Sequence, residues 1–98
     1  MDRRKAFGDV MRFLRMREGL AQEDFSNISS RGYISDLERG LFRPTLDKVD
    51  SLCTLLKVHP ASFVTLMYLS ECETAEEAEV TLKNLQSEVK ELLAGFKK

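Results

Sequence analysis

Ninety-eight residues, 43% hydrophobic and 32% charged, suit one small soluble domain with one further element; the chain is too patterned for disorder and too short to form two cores. No run approaches the roughly 18 apolar residues of a membrane span, and the N-terminus MDRRKAFGDV lacks the apolar stretch and cleavage site of a secretory signal, so a cytoplasmic protein is expected. The formal net charge of −1 gives no reason, by itself, to expect a nucleic-acid partner.

Almost nothing alternates with period two, whereas helical spacing recurs throughout, which predicts an all-α fold. In the first helix, about residues 3–18, Phe7, Met11 and Leu14 share one face and Gly19 supplies the C-cap. QEDFSNI predicts a short second helix whose Glu23 and Asp24 suit the positive end of its dipole and whose buried residues are Phe25 and Ile28. Ser29 or Ser30 caps a third helix with Ile34 and Leu37 turned inward and Gly40 at its end.

Pro44 makes LFRP a loop. Thr45 then caps a fourth helix with Leu46, Val49, Leu52, Cys53 and Leu56 on its inner face. Pro60 suits the first position of a fifth helix, about 60–70, anchored by Phe63, Leu66 and Met67; His59 before it reads as a capping or surface residue. Thr74 and Glu77 form a capping box for a long sixth helix, in which Ala75, Ala78, Leu82, Leu85, Val89, Leu92 and Phe96 follow at alternating steps of three and four. Residues 1–70 thus form a five-helix domain, and 71–98 a separate amphipathic helix.

Charge divides along the same line. Residues 1–66 carry 11 Lys/Arg against 9 Asp/Glu, whereas 67–98 carry 4 against 7, so the acidity belongs to the last helix. Cys53 and Cys72 have no CxxC partner or histidine cluster and read as free thiols, Cys53 as a small core residue and Cys72 in an exposed hinge. There is no Gly-rich phosphate loop, no nucleophile with a partner histidine and no set of metal ligands. No catalysis, metal or cofactor is expected.

A second and third helix joined by a tight turn describe a helix-turn-helix, whose third helix enters the major groove. Arg15 four residues before Gly19, then Leu20 and Gln22, YISDLERG, Pro44 and the apolar helix ending at KVHP make residues 7–69 resemble the XRE family, the lambda-repressor and Cro-like helix-turn-helix proteins of bacteria and phages. The resemblance implies a five-helix lambda-repressor-like domain that binds double-stranded DNA. Two departures stand out: Ala21 replaces the family's Ser or Thr N-cap, at a cost of about 1 kcal/mol, and the turn between helices two and three is about two residues shorter and lacks the usual glycine.

With Ile34 and Leu37 inward, Arg31, Gly32, Ser35 and Asp36 face outward at the family's base-reading positions. Arg31 can donate two parallel hydrogen bonds to guanine, Asp36 can accept from a cytosine amine, and Gly32 permits close approach. Gln22, Ser30, Tyr33, Arg39 and Arg43 are the candidate phosphate contacts. The resemblance further implies a structural ion pair between Arg15 and Glu38.

Such modules act as two-fold dimers. Phe63, Leu66 and Met67 of helix five and Leu82, Leu85, Val89, Leu92 and Phe96 of helix six are expected at a homodimer interface. The alternative is that helix six folds back, over Phe13 and Met16; few opposite charges flank the seam, which favours general helix packing over a parallel zipper. Function then divides between a dimeric repressor reading a palindromic operator and a protein-interaction module, such as an antitoxin that masks a protein partner and represses its own operon.

Overall fold

The computed structural model describes residues 2–98, which carry five α-helices and one 3-10 turn. They divide into two compact units, one ending at Tyr68 and the other spanning Leu69–Lys98.

In the first unit, α1 (Arg3–Arg17) begins where the Asp2 carboxylate accepts the Arg4 backbone N–H at 3.0 Å. It ends at Gly19, whose φ of +69° lets the Leu20 N–H turn back to the Arg15 carbonyl. α2 (Arg31–Glu38) is capped by Ser30, whose hydroxyl accepts the Tyr33 N–H at 3.1 Å. α3 (Leu46–Leu56) is capped by Thr45 in the same way, and α4 (Pro60–Leu69) begins where His59 Nδ1 accepts the Ala61 N–H at 3.0 Å. Each start falls where a side-chain acceptor replaces the missing intrahelical partner.

The expected second helix is the exception. Only Gln22–Phe25 wind, as a 3-10 turn, and looser turns carry the chain to Ser29. Ala21 has no side-chain acceptor for the first orphan N–H groups; the one reciprocal bond present runs from the Ala21 N–H to the Asp24 carboxylate at 2.7 Å. Without an N-cap, a helix this short lacks the bonds to offset its nucleation cost.

One core joins these elements. α1 contributes Phe7, Met11 and Leu14 with Ala6 and Val10, the 3-10 turn Phe25, α2 Ile34 and Leu37, α3 Val49, Leu52, Cys53 and Leu56, and α4 Phe63 and Met67. Leu46, expected on the inner face of α3, is 73% exposed. It occupies the first helical position, where the side chain leans back toward the N-terminus and past the last core layer.

Phe63 and Met67 are 0% and 1% exposed, so two of the three α4 residues expected at a dimer interface are consumed by the domain's own core. Phe63 stacks on Phe7 at 6.1 Å between ring centroids. Leu66 is only partly buried. On the far face of α1, Phe13 and Met16 are exposed.

In the second unit, the Thr74 hydroxyl accepts the Glu77 N–H and the Glu77 carboxylate accepts the Glu73 N–H, which starts α5 (Ala75–Phe96). No residue of α5 is buried. Among the described residues no single helix is long and apolar enough to cross a membrane.

The two thiols differ in reactivity. Burial pushes the Cys53 thiol up to about 11, whereas Cys72 is half-exposed. The thiolate is the nucleophile, and at pH 8 it is on the order of one part in a thousand for a thiol titrating near that value. Iodoacetamide at that pH is expected to label Cys72 alone, with peptide mass mapping detecting Cys53 adducts only after denaturation.

Candidate nucleic-acid interface

The recognition helix of the sequence reading is α2, and its inner face is fixed by Ile34 and Leu37, both fully buried. Arg31 and Gly32 are exposed on its first turn, and Ser35 and Asp36 lie half-exposed on the next. The four expected base-reading residues therefore share the outer face of one helix. Its N-terminus adds the positive end of the helix dipole.

Two of the charged groups are paired within the protein. Arg31 Nη2 lies 3.2 Å from the Glu23 carboxylate, and Arg39 Nη1 lies 3.5 Å from Asp36. Both pairs are largely exposed, and exposed pairs hold weakly against a competing anion. A phosphate or a guanine edge can displace either carboxylate. Arg43 is exposed in the loop after α2 and close enough to Asp2 to help lower that carboxyl below its usual range, after the larger effect of the Arg4 hydrogen bonds.

Arg15 and Glu38 are brought together across 23 residues of sequence. Arg15 Nε donates to Glu38 Oε2 at 2.6 Å and Nη2 to Oε1 at 2.9 Å, a two-pronged pair whose side chains are only 14% and 6% exposed. The Glu38 hydrogen bonds raise the Arg15 guanidinium above its ordinary value. Arg15 Nη1 also donates to the Leu20 carbonyl at 2.8 Å, and the Gln22 amide donates to Glu38 Oε1 at 3.2 Å. The Gln22 side chain, expected at a phosphate, is thus part of the cluster that ties α1, the 3-10 turn and α2 together.

Ser30 and Tyr33, also expected at phosphates, have structural partners. The Ser30 hydroxyl caps α2, and the half-buried Tyr33 ring packs on Phe42 at 4.8 Å, with burial pushing its phenol up. Over the same ring, at 4.9 Å, sits the Lys48 ammonium, which donates to the Ile28 carbonyl at 3.1 Å. Lys48 therefore fastens α3 to the turn that precedes α2. A lysine on an exposed-looking first turn of α3 gives no sequence signal of this.

The close crossing of α1 and α2 depends on Gly8. A Cβ there would meet the Leu37 carbonyl oxygen at 2.5 Å and that of Glu38 at 2.8 Å. At the end of α2, Gly40 takes a φ of +75° and passes Lys5 Cα less closely, a Cβ there sitting 3.2 Å from it. These two glycines and the Arg15–Glu38 pair set where α2 stands on α1. Among the described residues no group of His, Cys, Asp or Glu is placed to hold a metal ion.

This arrangement agrees with comparisons to known proteins. A family model described as Helix-turn-helix matches residues 11–63, the segment that contains the 3-10 turn, α2, α3 and the start of α4. The chain is 35% identical over 65 residues to the "Transcriptional regulator ClgR" of Mycobacterium tuberculosis, in strains CDC 1551 / Oshkosh and ATCC 25618 / H37Rv alike. The match covers 64% of this chain and 57% of the length of those relatives. No solved structure matches. With the tight turn, the outward face of α2 and the family match on the same residues, the chain belongs to the XRE-type helix-turn-helix family.

Proposed function

We propose that this protein is a sequence-specific DNA-binding transcription regulator that acts as a homodimer and represses by occupying a palindromic operator. The observation that carries this is the outer face of α2, where Arg31, Gly32, Ser35 and Asp36 stand together on a helix held rigidly from behind. Arg31 reads a guanine in the major groove, Asp36 and Ser35 take neighbouring base edges, and Arg39 and Arg43 hold phosphates on either side. The Gln22 amide, the Ser30 hydroxyl and the Tyr33 ring already have partners within the fold, so the remaining phosphate contacts fall to the N–H groups at the start of α2.

Selection from random duplex DNA, followed by binding at two salt concentrations, tests this. A palindromic consensus should emerge, and affinity should fall steeply with salt as counterions are released. Arg31→Ala should relax preference at one base pair per half-site by about 5- to 150-fold, the equivalent of losing one two-pronged contact. Arg43→Ala should weaken all sequences alike. Failure to enrich any sequence would favour the protein-interaction reading, in which exposed apolar residues such as Leu92 and Phe96 cover a different protein.

A further inference from the structure

The seam of α5 is graded in size and in charge. Its first members are Ala75 and Ala78, its middle Leu82, Leu85 and Val89, and its last Leu92 and Phe96, the latter 84% exposed. Five glutamates and no lysine lie between Glu71 and Glu79, whereas residues 80–98 hold four lysines and two glutamates. A parallel pair would set alanine on alanine, leaving a void, crowd Phe96 on Phe96, and stack the acidic ends. Reversing one helix removes all three conflicts.

We propose that a second copy of this chain docks along α5 in antiparallel orientation, with Ala78 opposite Phe96, Leu82 opposite Leu92 and Leu85 opposite Val89. One register satisfies all three pairs, because each is symmetric about Ser87. Every layer then joins a smaller to a larger side chain or two leucines, so the volume per layer evens out along the seam. The same register sets Glu76 and Glu77 at the level of Lys97 and Lys98 of the other copy, and the helix dipoles oppose.

This rests on the dimeric reading proposed above. In this register the two Ala75 residues, at the first turn of each α5, are 24 helical steps apart, about 36 Å. A parallel pair would bring the same points within roughly 10 Å.

The test uses the full chain with Cys72→Ser and a nitroxide on Ala75→Cys, read by double electron–electron resonance without DNA. An interspin distance near 36 Å is expected from the helical rise. A distance below about 20 Å, as interaxial spacing allows in a parallel pair, overturns the proposal, and so does a signal with no dipolar modulation. Leu92→Glu, at an exposed position, is expected to abolish the modulation while leaving the fold intact by circular dichroism; modulation that persists in it also overturns the proposal. Because no DNA is present, an operator selection that fails leaves this measurement unaffected.

Discussion

A Glu38→Ala variant is expected to lose about 3–5 kcal/mol of folding stability, the range seen when one partner of a buried ion pair is removed. The Arg15 guanidinium, 14% exposed, would keep only the Leu20 carbonyl, and the Gln22 amide would lose its acceptor. An unpaired, partly desolvated cation costs more than the contact it has lost. Glu38→Gln keeps the shape and one acceptor oxygen and should fall between the two. Replacing both partners with apolar residues, as in Arg15→Met with Glu38→Leu, should recover much of the loss, since no charge is then stranded. Urea unfolding measures this as a lower midpoint at unchanged slope. A Glu38→Ala midpoint equal to that of the native chain would show that the pair contributes nothing and that another contact fixes α2 on α1.

The residues that set this pair were legible in the sequence because the resemblance to the family joined Arg15 to the ERG of YISDLERG; spacing alone does not join positions 15 and 38. α1, α3, α4 and α5 were legible for a different reason: each has its own cap or proline start and an apolar period, which burial bears out in α1, α3 and α4 apart from the exposed Leu46, whereas no residue of the α5 seam is buried. The 3-10 turn was not legible as such. QEDFSNI has a helix's composition, and what denies it a full helix is the missing acceptor at Ala21, a deficit the sequence displayed and the periodicity outweighed.

Phe63 and Met67 show a further limit. Their hydrophobicity said that they must be covered, but pattern cannot distinguish a covering α1 from a covering second subunit; Phe7 of α1 is what meets Phe63, and Met67 lies in the same core. Lys48 is the same problem in polar form. Its partners, the Ile28 carbonyl and the Tyr33 ring, are 20 and 15 residues away and belong to the tertiary fold.

Gly8 and Gly32 make opposite predictions from the same substitution. In an isolated helix, alanine is better than glycine by about 1 kcal/mol, so propensity alone favours Gly8→Ala. The added methyl would lie 2.5 Å from the Leu37 oxygen and 2.8 Å from that of Glu38, and both are backbone atoms that cannot swing aside. α1 and α2 must separate, which disturbs the Arg15–Glu38 pair behind them. Such overpacking costs about 1–3 kcal/mol, enough to reverse the sign of the propensity gain. Gly8→Ala is therefore expected to lower the unfolding midpoint and, because α2 is displaced, to weaken DNA binding as well. Gly32 is also helical, but a Cβ there meets nothing within 4 Å. Gly32→Ala should stabilise the fold by about 0.5–1 kcal/mol, the full propensity difference. If α2 approaches the groove as proposed, that same variant should bind operator DNA more weakly, because the methyl occupies the space the base edges need. Stability raised and affinity lowered in one variant separates a DNA-facing glycine from a packing one; a Gly32→Ala protein that binds with native affinity would move the contact surface away from the first turn of α2.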